Sequence, residues 1–153
     1  MISYGKTTQY AIAAASRLAE VYDERIKLSS IDIARDRGLP KPVVAKVLTI
    51  LSQAGLVTGS PGPGGGYALA KLPSEIRLMD VAECFDRLEK TLSCPFGPDY
   101  CGSGNPCPLH HQLVSLQEQF RRFLNTNTLD VFRKKDQGKR VLASLAAGRR
   151  MKA

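Results

Sequence analysis

Apolar side chains recur along the start of the chain with helical spacing. Ala11, Ala14, Ala15, Leu18 and Tyr22 lie on one face at i, i+3, i+4 and i+7 steps, which predicts a helix over residues 7–23. Many of these are alanine, so a neighbouring element can approach closely. Ile26-Lys27-Leu28 reads as a short extended piece. Ser29 or Ser30 then caps a second helix that stops at Gly38. Pro40 and Pro42 stand where a third helix would begin, a position that tolerates proline because first-turn N–H groups have no intrahelical partner. That helix runs to Ala54, and Gly55 ends it. Val44, Val47, Leu48 and Leu51 form its core stripe, while Pro42, Lys46, Thr49 and Gln53, spaced 4-3-4, fall on the opposite face.

Two short strands follow, residues 56–58 and 67–70, around Gly59-Ser60-Pro61-Gly62-Pro63-Gly64-Gly65-Gly66. No packed element tolerates that composition, so it reads as an exposed hairpin tip. A polar-faced helix pair followed directly by a hairpin is a winged helix-turn-helix. The pattern then returns to helix over about 79–89, with Val81, Cys84, Phe85 and Leu88 as the apolar face. Cys84 is read there as a core residue. Periodicity disappears over 90–107. From about Pro108, Leu109, Leu113, Leu116, Phe120 and Phe123 repeat at 4-3-4-3, a coiled-coil seam rather than a globular stripe. Such a seam needs a partner helix, and a second copy of the chain is favoured over intramolecular packing. Thr128–Phe132 begins a last short helix. The expected fold class is therefore mainly α with a small β-hairpin. The expected divisions are a winged helix-turn-helix domain (1–89), a cysteine-rich loop (90–107), a dimerisation helix with a short helix after it (108–132) and a basic, disordered tail (133–153).

Composition narrows this only in part. The chain has 153 residues, 43% hydrophobic and 24% charged, which fits a folded protein of one or two domains. No run approaches the 18 apolar residues of a membrane span, and Met1-Ile2-Ser3-Tyr4-Gly5-Lys6 has no apolar signal core, so a cytoplasmic protein with reduced thiols is expected. The net charge of +8 suggests an anionic partner, but residues 133–153 alone carry eight basic groups against Asp136. Bulk charge is thus no argument for DNA binding by the helix pair.

Chemistry concentrates in Cys94-x6-Cys101-x5-Cys107-x2-His110, where intervening prolines and glycines let one loop wrap a metal. Soft thiolates select zinc, copper(I) or iron–sulfur clusters. Structural zinc favours close cysteine pairs, whereas these long, nearly even gaps suit a bulkier object. An iron–sulfur cluster is preferred, with structural zinc or no metal as the alternatives. His110 is the candidate fourth ligand; His111, about 100° further round the helix, is the lesser one.

Gly55-Leu56-Val57, then Gly62-Pro63-Gly64-Gly65-Gly66-Tyr67 and Leu69-Ala70, resemble the Rrf-two family of bacterial winged-helix transcription regulators. Thr8-Gln9-Tyr10-Ala11 is similar to the family's first helix, and the cysteine loop with Phe123-Leu124-Asn125 and Thr128-Leu129 resembles its IscR-like members. The resemblance spans about residues 3–132. It implies a homodimer on a palindromic double-stranded DNA operator. It also implies a transcriptional regulator, expected to repress, that senses iron–sulfur status, redox or nitric oxide through a cluster. Cys94, Cys101, Cys107 and His110 match the IscR-like [2Fe–2S] ligand pattern, apart from a first gap one residue longer. NsrR-like members add an aspartate to a [4Fe–4S] cluster; Gln9 stands at the matching position here, so [2Fe–2S] is preferred. Two departures concern DNA: Pro61 replaces the arginine common before the wing, and the third helix opens Leu39-Pro40-Lys41-Pro42-Val43 instead of a Ser- and Tyr-rich run.

The candidate DNA-binding residues are Lys41, Lys46, Thr49 and Gln53 for the major groove, Ser29 and Ser30 for phosphates at a helix start, and the wing backbone at Pro63, Gly64, Gly65 and Gly66. No nucleophile–base set, phosphate loop or Cys-x2-Cys pair is present, and the two histidines are adjacent, so an enzyme is not expected. The two departures leave a dimeric adaptor without DNA binding as a rival.

Overall fold

Helix α1 (Lys6–Glu20) lies at the centre of the fold. Ala11, Ala14, Ala15, Leu18 and Ala19 are buried, and this small-residue face lets α3, α2, α4 and the second strand all pack against one helix. The coordinates are a computed structural model that describes residues 4–86 and 106–133. The elements run α1, α2 (Ser30–Arg37), α3 (Lys41–Gln53), β1 (Val57–Ser60), β2 (Gly66–Leu69), α4 (Leu78–Glu83) and α5 (His110–Thr126), with 3-10 turns at Tyr22–Glu24, Pro73–Glu75 and Leu129–Phe132. Strands β1 and β2 pair antiparallel, with Val57 opposite Leu69 and Ser60 opposite Gly66. Among the described residues the structure is thus mainly helical with one small hairpin.

Several predicted boundaries shift. α1 ends at Glu20 rather than 23, because the chain tightens into the 3-10 turn and reverses at Arg25, whose φ of 53° is left-handed. Both strands shift toward the tip: β1 from 56–58 to Val57–Ser60 and β2 from 67–70 to Gly66–Leu69. α4 is a six-residue helix closed at Cys84; Cys84 and Phe85 form a turn rather than continuing the helix, and the rest of the predicted helix to 89, with Leu88, lies outside the described residues. The long helix starts at His110, with Leu109 as its N-cap.

One buried cluster runs from the winged helix into α5. Leu124 of α5 and Leu129 of the last turn belong to the same buried cluster as Val47, Leu48 and Leu51 of α3 and Val81 of α4. Backbone pairing holds them there: Leu78 N–H donates to the Asn127 carbonyl at 2.9 Å and Leu129 N–H to the Ile76 carbonyl at 2.8 Å. Arg77 reinforces the junction, reaching Asp80 of its own turn and Asn125 of α5. Arg133 extends it, bonding both Asp23 and Asp130, so a residue read as the start of the basic tail is instead a tie within the fold.

α1 has an uncommon start. Gly5 offers no side-chain cap. The carboxylate of Asp86, just beyond α4, instead accepts from Gly5 N–H and from the Thr8 hydroxyl, both at 2.6 Å. Thr8 is fully buried, so this hydroxyl needs its partner. Asp86→Ala is expected to lower the unfolding free energy by about 1–2 kcal/mol in urea titration, the scale of a lost cap. An unchanged midpoint would show that α1 does not depend on this long-range cap.

Candidate nucleic-acid interface and cysteine segment

α2 and α3 are joined by a tight turn. Gly38 closes α2 in the left-handed conformation (φ 63°), and Leu39 N–H returns to the Ala34 carbonyl at 2.8 Å. Pro40 then caps α3, with Pro42 in its first turn. Val44, Val47, Leu48 and Leu51 have no exposed surface, which fixes the rotation of α3 about its axis. Lys41, Pro42, Lys46, Thr49 and Gln53 are consequently all exposed along about 20 Å of helix. Thr49 donates its hydroxyl proton to the Ala45 carbonyl of the same helix at 3.0 Å, leaving the two lysines and Gln53 as the outward donors.

The start of α2 settles the cap on Ser29, with Ser30 as the first helical residue. Ser29 and Asp32 form a reciprocal capping box: Asp32 N–H donates to Ser29 Oγ, and Ser29 N–H and hydroxyl donate to the Asp32 carboxylate. The Ser29 hydroxyl, then its backbone N–H and nearby Arg35, hold the Asp32 carboxyl below the usual aspartate range. A phosphate arriving at this helix start therefore meets a carboxylate as well as backbone N–H groups.

In the wing, two of the predicted DNA-facing glycines are needed by the hairpin itself. A Cβ on Gly65 would fall on the Ser60 carbonyl oxygen, and Gly66, at φ 133°, would place one 2.9 Å from the Leu28 carbonyl. Pro63 and Gly64 are exposed at the tip. Leu28 pairs with Tyr67 through two backbone hydrogen bonds of 3.0 and 2.8 Å, so the extended piece 26–28 is tied to β2 by a single bridge. Lys27, next to that bridge, donates from Nζ to Ser60 Oγ at 2.9 Å. The extended character of 26–28 was legible from the sequence; its pairing with β2, and hence Lys27, was not.

Cys107 is buried one turn before α5, and its carbonyl accepts the His110 N–H at 3.0 Å. His110 is half-buried and meets His111 edge-to-face at 5.7 Å. The structure thus brings Cys107 and His110 into one turn. Cys94 and Cys101 lie outside the described residues, and among the described residues no group of three or more metal-ligating side chains assembles. Cys84 is half-buried against the core, its thiol donating to the Asp80 carbonyl, and burial pushes its pKa up. Among the described residues no helix is long and apolar enough to cross a membrane.

This architecture, a helix-turn-helix with an exposed polar second helix and a hairpin directly behind it, defines a winged-helix DNA-binding protein. The chain belongs to the Rrf2 family, described as iron-dependent transcriptional regulators, which it matches over residues 4–135. It is 34% identical over 128 residues to a helix-turn-helix-type transcriptional regulator of Aquifex aeolicus (82% of this chain, 88% of the relative). It is 30% identical over 122 residues to the regulator IscR of Pectobacterium carotovorum (80% and 73%). Its fold is similar to that of T. potens IscR (TM-score 0.66, 24% identity, 88% of each chain). It is also similar to that of CymR, the global cysteine regulator of B. subtilis (TM-score 0.69, 21% identity, 86% and 97%). The chain is thus a transcriptional regulator and not an enzyme, as the sequence led one to expect.

The Asp32 capping box makes helix-turn-helix stability depend on pH. Because the folded pKa lies below the unfolded one, the contribution is complete above the ordinary aspartate range and is lost as pH falls through the folded value. Asp32→Asn should therefore narrow the stability gap to wild type as pH drops from 6 toward 3, read by thermal unfolding at each pH. A gap that stays constant would contradict the assignment.

Proposed function

We propose that this regulator works as a homodimer on an inverted-repeat DNA operator, with an iron–sulfur cluster held by Cys94, Cys101, Cys107 and His110 governing its DNA affinity. The observation that carries the reading is the position of Cys107 and His110 in the turn that leads into α5, where the cysteine segment meets an exposed apolar seam. Leu109, Leu116 and Phe123 are 42%, 52% and 51% exposed, too much apolar surface along one helix to be left in water. A second α5 covers it in a dimer, and the ligand loop then adjoins the dimer helix.

The donor set fits the group. Three thiols and an imidazole are soft ligands, and the turn into α5 places one thiol, Cys107, three residues before one imidazole, His110. A [2Fe–2S] cluster is preferred, since Gln9 is a poor fourth ligand for a [4Fe–4S] cluster. The similarity to relatives named IscR, 30% identity over 122 residues, supports this reading. When bound, the cluster supplies a link between the thiolates that is sensitive to oxidation, nitric oxide and cluster loss. The chain's own residues do the rest. Lys41, Lys46 and Gln53 reach base edges and phosphates, with Thr49 beside them. Ser30 brings its backbone N–H to a phosphate beside the Ser29 cap, whose own N–H is held by Asp32, and Pro63, Gly64, Gly65 and Gly66 lay the wing against the minor groove. Residues 1–89 form the reader, 90–107 the ligand loop and 108–132 the dimer helix, and the basic residues beyond 133 add non-specific attraction. Repression in the cytoplasm is the expected mode.

Purification without oxygen should give a brown protein absorbing beyond 300 nm, with iron and acid-labile sulfide, and Cys107→Ser should lose the colour while remaining folded. A colourless, zinc-loaded wild type would overturn the cluster reading. Leu116→Glu combined with Phe123→Glu should convert the dimer to monomer by light scattering; a variant that keeps the wild-type mass would overturn the seam as the dimer surface.

A further inference from the structure

The wing lacks any charge of its own. Residues 56–70 contain no lysine, arginine, aspartate or glutamate, and Pro61 stands directly before the turn. A hairpin that meets a polyanion without a cation gains nothing from neutralising phosphates, which is the largest sequence-independent contribution to DNA affinity. The structure supplies the missing charge from elsewhere in the chain. Leu28 is hydrogen-bonded to Tyr67 on the free edge of β2, so Lys27 becomes a wing residue although it lies 30 positions before Val57, the first residue of β1. Val57 and Leu69 turn inward and are buried. Thr58, Ser60, Gly66 and Ala68 alternate with them and lie on the outer side. These side chains are small, and the Lys27 side chain crosses them to set Nζ 2.9 Å from Ser60 Oγ, at the last residue of β1 before the tip. The interaction is exposed, and no carboxylate among the described residues forms a salt bridge with Lys27. An ammonium and a hydroxyl held together in this way offer a phosphate oxygen two donors, because the hydroxyl accepts from Lys27 and keeps its own proton to give.

We infer that Lys27, reaching over β2 to Ser60, is the wing's phosphate contact. This rests on the DNA-reading role of the fold and adds to it a contact from outside both the recognition helix and the wing loop. Ser60 acts as a positioning residue that holds the ammonium near the tip.

The full chain should be titrated against two labelled 30-base-pair duplexes, one from the region upstream of its own coding sequence and one of random sequence, from 50 to 200 mM salt. Lys27→Ala is expected to weaken binding to both duplexes alike, because a phosphate contact carries no sequence information. It should also lower the slope of log affinity against log salt by about 0.9 per bound subunit. Lys27→Arg should keep the wild-type slope, and Ser60→Ala should weaken binding several-fold with the slope nearly unchanged. Lys71→Ala, an equal charge change at the other end of the hairpin, should leave the slope alone. Equal slopes for wild type and Lys27→Ala would overturn the inference while leaving DNA binding intact. A wild type that binds neither duplex would overturn the DNA-reading role itself, and this contact with it.

Discussion

Everything in this fold depends on how closely other elements can approach α1. Five of its inward positions are Ala11, Ala14, Ala15, Leu18 and Ala19, and all are essentially without exposed surface. Four alanines leave a shallow face on which backbones rather than long side chains come into contact, so α1 serves several neighbours at once. The recognition helix, its partner α2, strand β2, α4 and the last 3-10 turn all meet it. Enlarging one of these alanines would push at several elements together, because a packed interior has no space to take up an added methylene.

Two electrostatic ties orient elements around that helix. At its C-terminal end Arg37 of α2 bonds Glu20, Ser16 and the Ala13 carbonyl, and Arg17 bonds Asp36, which fixes the helix-turn-helix against α1. At its N-terminal end Asp86 holds the first turn, while the Tyr4 ring lies 5.6 Å from Phe120 of α5. The reading head is thus anchored at one end of α1. The two elements that border the cysteine segment, α4 and α5, converge at the other.

The sequence conveyed the elements better than their ends. The stripe Val44, Val47, Leu48 and Leu51 specified which face of α3 is buried, and the exposed residues opposite it are the ones the spacing indicated. Local composition also made the wing legible. What it concealed was non-local. The pairing of Leu28 with Tyr67, the cap from Asp86 across 81 positions and the union of Leu124 with the α3 core all depend on partners far along the chain, and no local period encodes them. Gly65 and Gly66 also answer to a non-local constraint, since a Cβ on either would meet the Ser60 or Leu28 carbonyl. Of the four proposed metal ligands, Cys107 and His110 lie within the described residues, in the turn that leads into α5.

The central claim is that the outward face of α3 reads DNA sequence. Selection of bound duplexes from a random library tests it most directly, because it assumes no operator. The account predicts enrichment of an inverted repeat whose half-sites lie about one helical turn or a whole multiple of it apart, and loss of that motif when Lys46 and Gln53 are both changed to alanine. Absence of any enriched motif, or the same motif returned by the double variant, would contradict it.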